Sequence, residues 1–293
     1  MAFSPLGECA LPIIEAHDYW LECDPINGGV VRRLTWRGTD ILRPSMLGDT
    51  DPLGCGMFPL VPFSNRLLHD VPSSNGPLRL PRYLQDCDFA IHGFGWQRDW
   101  QVAHYDTSAV ELILEDHTSP WPSAYRAVQR FALDESGFRS SISLANIGDE
   151  ALPAGIGFHP YFPKADCEVA MRAHTKWEHD ARGLPGIAQE AEWRDGQAIK
   201  IGGVRLDHSY SDWDGKAKLV WPSRGLCVEI EADETLRELV VYSPEEDFFC
   251  IEPVSHLTNA MFADQPDKQR GWKTLAPGET VSAVMTISAS VLG

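Results

Sequence analysis

The sequence predicts an all-β fold, a large antiparallel β-sandwich, from three observations. Short apolar or alternating runs recur along the chain, no long segment sustains a 3.6-residue period, and 24 Gly and 21 Pro punctuate the 293 residues. Alternation at period two is the mark of a strand with one buried face, and Gly and Pro between such runs mark turns.

The elements follow in order. Runs at 19–23 and 29–36 open the series, with 102–105 and 110–114 after them. Asp134-Glu135-Ser136-Gly137 separates 125–133 from 138–146 and predicts a hairpin, since Asp, Ser and Gly favour tight turns. Similar runs lie at 168–173, 218–221, 226–231 and 239–242. The last strand alternates: Val281, Ala283, Met285 and Ile287 take one face, and Ser282, Thr286 and Ser288 the other, with Val284 the exception. The 64–88 segment is long and rich in Pro, Ser and Asn, and a long loop in a compact β domain is often functional. Residues 1–293 read as one domain. A split near Gly148 would leave the motifs described below on both sides of it.

Hydrophobic residues are 43% and charged residues 23%, which is a globular composition. The net charge of −17 repels nucleic acid and anionic membranes, so neither is expected as a partner. Met1 to Leu11 lacks the basic start and apolar run of a signal peptide, and no stretch reaches the roughly 18 apolar residues of a span. The seven cysteines (Cys9, Cys23, Cys55, Cys87, Cys167, Cys227 and Cys250) form no C-x-x-C pair. Free, mostly buried thiols in a reducing cytoplasm are the expectation.

Three motifs carry polar groups in apolar surroundings. Glu252 follows Phe248, Phe249, Cys250 and Ile251 and precedes Pro253. A surface Glu rarely has such neighbours, and burial raises a carboxyl pKa towards that of a useful base. His92 precedes Gly93, Phe94, Gly95 and Trp96, and His159 precedes Pro160, Tyr161 and Phe162. Taken singly, each His is more often a structural residue. Together, a Glu and a His held apart across a small molecule make a general base and a general acid. Aromatic neighbours suit a sugar, which has hydroxyls and an apolar C–H face. Arg66 ends the run Pro59-Leu60-Val61-Pro62-Phe63-Ser64-Asn65; it either pairs with an acid at the surface or donates to ligand hydroxyls. Asp207, in Leu206-Asp207-His208-Ser209-Tyr210, sits in a turn or accepts from sugar hydroxyls. No His-x-His, His-Glu-x-x-His or Gly-x-Ser-x-Gly occurs, so no metal, cofactor or serine nucleophile is expected.

Jointly these motifs resemble the aldose 1-epimerase (galactose mutarotase) family over nearly the whole chain and in family order. The resemblance rests on Gly28–Gly29 with Trp36, the 59–66 segment, His92-Gly93-Phe94-Gly95, His159-Pro160-Tyr161-Phe162, Leu206-Asp207-His208 and Glu252-Pro253. It implies a galactose mutarotase-like supersandwich with the site on its concave face. It implies Glu252 as general base, His159 as general acid, and Arg66, His92 and Asp207 as sugar ligands. Two departures stand out: many relatives have Asn where this chain has Phe158, and the segment from Val254 to Ala260 matches only loosely.

The implied activity is interconversion of the α and β anomers of a free aldose, by a cytoplasmic monomer or homodimer without cofactor. The alternatives are a hexose-6-phosphate mutarotase, for which Arg79, Arg82 or Arg98 would have to join the site, and a non-catalytic carbohydrate-binding sandwich. A glycosidase using Glu252 and Asp207 needs two carboxyls at a set separation.

Overall fold

Which face each strand buries decides the architecture. In this computed structural model, which describes residues 11–84, 87–264, 266 and 269–293, the described residues form an eleven-stranded and a nine-stranded antiparallel sheet, with two small two-stranded ones. The nine-stranded sheet contains the expected hairpin, Tyr125–Asp134 against Gly137–Asn146, closed at Asp134↔Gly137. Thr280–Val291 pairs beside it, with Val281, Ala283, Met285 and Ile287 all buried.

The larger sheet runs Ile13–Ala16, Tyr19–Asp24, Val30–Trp36, Met57–Leu60, Gly157–Pro163, Phe248–Val254, Glu238–Ser243, Leu206–Ser211, Thr175–His179 and Pro185–Glu190, with the eleventh strand, Thr39–Asp40, paired to Val30–Trp36 off this path. The 206–210 motif is therefore strand, not turn. Its middle strands are buried on both faces. Met57, Phe158, Phe162, Phe249, Ile251, Leu239 and Val241 face the main core, which also takes in Phe131, Phe138 and Ile142 of the nine-stranded sheet. Phe58, Leu60, Tyr161, Cys250, Val240 and Val254 belong to a second cluster with Trp96, on the opposite face. Each fully buried Leu, Ile or Phe contributes roughly 1.5–3 kcal/mol, so the main core holds the sandwich closed.

The second face carries the polar residues. Strand pairing lines up Phe58↔His159, Glu252↔Val240, Val240↔Ser209 and Ser209↔Trp177 in one row. Gly157↔Val254 and Tyr161↔Cys250 on either side set His159 opposite Glu252, although the ladder is not continuous between those pairs. Pro160 and Pro253 lie in that gap and have no N–H to give it. Two residues along, the next row holds Tyr161↔Cys250↔Tyr242↔Asp207.

The 64–88 loop is largely irregular where it is described, apart from Arg66–Leu67 paired with Ala90–Ile91 and a Val71↔Leu78 bridge. The thiols of Cys23, Cys55, Cys167, Cys227 and Cys250 are free and buried, and that of Cys87 is free and half-buried. Cys9, and all of the N-terminal stretch except Leu11, lies outside the described residues. Among the described residues no helix is long and apolar enough to cross a membrane.

Candidate active site

His159 and Glu252 project from adjacent strands into contact: Nε2 of His159 lies 3.2 Å from Oε1 of Glu252. The sequence led us to expect them apart across a small molecule; in the free protein they touch. Both are buried, 5% and 2% exposed. Burial pushes the Glu252 carboxyl well above its usual range, the Asp207 charge adds to this, and Arg66 opposes it. Burial also pulls His159 down to about 3, with the Arg43 charge acting in the same direction. Both shifts favour the uncharged forms, so the proton shared between the two side chains sits on the carboxyl and the imidazole keeps only its one N–H. Oε2 of Glu252 and Nδ1 of His159 are buried and make no hydrogen bond within the protein. Unpaired buried polar atoms are costly to keep and concentrate where a ligand completes them.

His92 reaches the pair from the segment after Ala90–Ile91. Its backbone has φ 61°, and Gly93 has φ 70°. A Cβ on Gly93 would lie 2.0 Å from the Val61 carbonyl oxygen, so only glycine allows this approach. The Asn65 N–H donates to His92 Nδ1 at 3.2 Å, which places the proton of the neutral ring on Nε2. Burial, then the neighbouring His159 and Arg66, keep His92 well below its ordinary pKa and therefore neutral. His92 thus offers an N–H donor beside the acid–base pair.

His92, His159 and Glu252 bring three potential ligand atoms within 4.8 Å of one another, a grouping some metal sites use. Nδ1 of His92 is already an acceptor and Nε2 carries the proton. His92 would have to give up the Asn65 hydrogen bond to bind an ion, so the donor set fits a metal poorly.

Arg66 and Asp207 stand at the entrance. Nη2 of Arg66 is 3.4 Å from Oδ2 of Asp207, and Nη1 is 3.1 Å from its neighbour Asn65 Oδ1. Burial pulls the Asp207 carboxyl upward, but the His179 contact and the Arg66 charge outweigh it and hold it below the usual value. His179 Nδ1 lies 3.5 Å from Asp207 Oδ1, a contact at the outer limit of a hydrogen bond. Arg66, Asp207, His179 and His208 line a cleft of about 840 Å³ with Arg82, Arg182, Asp88 and Asp180. The buried His159–Glu252 pair is outside this lining; Arg66 and Asp207, whose charges act on Glu252, link the cleft to it.

The structure thus brings Glu252, His159 and His92 together, with Arg66 and Asp207 close by. Of the remaining arginines, Arg82 pairs with Asp88 at the cleft, Arg98 pairs with Asp116 away from it, and Arg79 is not in the cleft wall. Sequence reasoning missed His179, His256 and Asn65. Nε2 of His256 accepts the Ser64 N–H at 3.1 Å while Nδ1 donates to the Leu257 carbonyl at 2.9 Å, so this histidine fixes the start of the segment carrying Arg66. The loose match from Val254 to Ala260 hid it. Phe158 belongs to the main core, on the face opposite His159, so that departure alters packing rather than the site.

The model of the family described as aldose 1-epimerase matches residues 26–288. The chain belongs to the aldose 1-epimerase family. It is 28% identical over 280 residues to the uncharacterized Escherichia coli K12 protein YphB, covering 89% of this chain and 92% of that one. It superposes on a crystal structure of an E. coli K12 protein assigned provisionally as an aldose 1-epimerase with TM-score 0.86 at 24% identity, covering 97% and 99% of the two chains. A galactose mutarotase-like protein from Clostridium acetobutylicum gives TM-score 0.85 at 21% identity, covering 95% and 94%. These likenesses establish a galactose mutarotase-like fold for this member of the family.

Proposed function

We propose that this protein is an aldose 1-epimerase, a mutarotase that interconverts the α and β anomers of an unphosphorylated aldose. The observation that carries the proposal is the buried Glu252–His159 contact beside the Arg66–Asp207 entrance. In the working form the shared proton resides on His159, and Glu252 is a carboxylate. Glu252 accepts the proton of the anomeric hydroxyl while His159 donates to the ring oxygen. The C1–O5 bond breaks and an open-chain aldehyde forms. Rotation about C1–C2 presents the other carbonyl face, O5 attacks it, and both protons return. The pair ends as it began, so the cycle consumes nothing and requires no metal. Arg66, His92 and Asp207 hold the sugar hydroxyls, and general acid–base help from each reacting group is worth roughly 10²–10⁴-fold.

Residues 58 to 252 supply this one site, on both sides of Gly148, which supports a one-domain reading of 1–293. The cleft guanidiniums of Arg66, Arg82 and Arg182 each already meet a carboxylate, of Asp207, Asp88 and Asp180, which favours a neutral sugar over a phosphorylated one.

Saturation-transfer NMR across a panel of aldoses tests the proposal directly. Exchange between anomers should exceed the buffer rate for at least one sugar. Glu252→Gln should lower it by about 10²–10⁴-fold while binding persists, because Gln keeps the shape and cannot accept the proton. Near-normal exchange in that variant would remove Glu252 from the mechanism.

A further inference from the structure

His159 stands in a column of flat groups. It shares a strand face with Tyr161, two residues on, and their rings stack at 4.7 Å and 27°. Phe58 covers the imidazole at 4.4 Å and 24°, and Trp96 follows Phe58 at 5.5 Å and 29°. At the far end, the Arg43 guanidinium lies 3.9 Å from the Tyr161 ring centroid and 4.5 Å from that of Phe248.

Arg43 is fixed in that position. Its backbone N–H donates to the Tyr161 carbonyl at 2.8 Å, and the Tyr161 N–H donates to Gly56 at 2.8 Å. Its Nε and Nη2 donate to the Cys55 carbonyl at 3.3 and 2.9 Å, and Nη2 also donates to that of Leu53 at 2.5 Å. All these acceptors are carbonyls. Among the described residues no carboxylate pairs with Arg43, so its charge is not locally cancelled.

We propose that Arg43 is a positioning residue for the acid–base pair: acting along the column through Tyr161, its charge adds to burial in keeping His159 neutral and so favours leaving the shared proton on Glu252. Like charges repel, and the two steps of the stack taken end to end put the guanidinium on the order of 9 Å from the imidazole, across a ring rather than water. The faces of Phe58 and Tyr161 would by themselves attract an imidazolium. Arg43 opposes that attraction.

The other groups around the pair do not supply such a charge. Glu252 and Cys250 come from the adjoining strand, His92 from the segment after Ala90–Ile91, and Cys55 from the segment leading into Met57–Leu60. Burial first of all keeps the Cys250, Cys55 and Tyr161 protons in place and keeps His92 uncharged. Arg66 is balanced by Asp207.

The test is the protonation of His159 followed by nitrogen-15 NMR in wild type, Arg43→Gln and Arg43→Lys, with its resonances assigned by difference from His159→Asn. Arg43→Gln keeps an amide donor for the Leu53 or Cys55 carbonyl. It should raise the His159 midpoint by about one pH unit, so the imidazolium fraction grows about tenfold at pH values well above both midpoints. Arg43→Lys keeps the charge and should stay close to wild type. An unchanged midpoint in Arg43→Gln, or an equal rise in Arg43→Lys, would overturn the proposal. Arg43→Met, whose stem fills the same gap between Tyr161 and Phe248, supplies the neutral arm if the Gln variant does not fold. This proposal rests on the Glu252–His159 reading only for its kinetic consequence, a faster anomer exchange in Arg43→Gln at neutral pH, because the form with the proton on His159 gains more in population than the imidazolium loses as an acid. Absence of exchange in wild type would count against the proposed function and leave the NMR result to decide Arg43 alone.

Discussion

Replacing His256 by leucine removes a side chain that ties the segment after Phe248–Val254 to the 62–66 segment. His256 is fully buried, with its ring edge-on to Trp272 at 4.7 Å. A Cβ on Gly155 would fall 2.1 Å from the ring, so the packing admits no reshuffling there. Leucine would leave the Ser64 N–H unpaired and take one of two donors from the Leu257 carbonyl, which keeps the Ala260 N–H at 3.1 Å. An unmade buried hydrogen bond costs about 1–3 kcal/mol, so the substitution should cost on the order of 3 kcal/mol at pH 7. For a chain of this size that corresponds to a melting point lower by roughly 5 °C or more. His256→Gln, which can still accept from Ser64, should cost less. The pH dependence separates the ring from its packing. Burial, partly offset by the Leu257 carbonyl, lowers the His256 pKa from 6.5 to about 4. A depressed histidine pKa gives stability that is complete above pH 6.5 and is lost as pH falls towards 4, here about 3 kcal/mol. The stability gap between wild type and His256→Gln at pH 7 should therefore shrink as the buffer is taken from pH 7 to pH 4. Thermal melts of the three proteins across that range are the assay. A His256→Leu melting point within about 1 °C of wild type at pH 7, or a gap that widens in acid, would refute the reasoning.

Gly93→Ala should be more damaging than most single substitutions. It places a Cβ 2.0 Å from the Val61 carbonyl oxygen at φ 70°, where Phe94 and Gly95 both donate to that oxygen at 2.8 and 3.0 Å. A loss of about 3 kcal/mol or more in a denaturant melt is expected, with His92 displaced. Prolonged dialysis against a chelator should leave anomer exchange unchanged; a loss restored only by a particular ion would show that the His92–His159–Glu252 grouping binds a metal after all. Exchange rates for glucose, galactose and glucose 6-phosphate at equal ionic strength should favour an unphosphorylated sugar. A clear preference for the phosphorylated one would mean that Arg82 or Arg182 leaves its carboxylate for the ligand.

The parts of the fold legible in the sequence are the strands with one wet face. The 125–146 hairpin and the last strand alternate in sequence because they alternate in burial. Met57–Leu60 and Phe248–Val254 do not alternate, because almost every residue in them is buried, and Pro59 and Pro253 argue locally against a central strand. These strands carry the site. The same prolines that obscure them interrupt the ladder where His159 faces Glu252. Burial of Glu252 was legible from its apolar neighbours, and the close approach at Gly93 from the glycine itself. His179 and His256 were not legible, since each takes its place from partners 30 and 192 residues away, Ser209 and Ser64. No local pattern records such a contact. Nor does sequence reveal that the free acid and base touch, and this has a chemical consequence. A pair in contact and uncharged has one proton on the carboxyl, a second on the imidazole Nδ1, and two atoms without a partner in the protein, Glu252 Oε2 and His159 Nδ1. A ligand hydroxyl that donates to the first and a ring oxygen that accepts from the second would satisfy both at once. In the free protein the site therefore already has the complement of the two atoms on which anomer exchange turns.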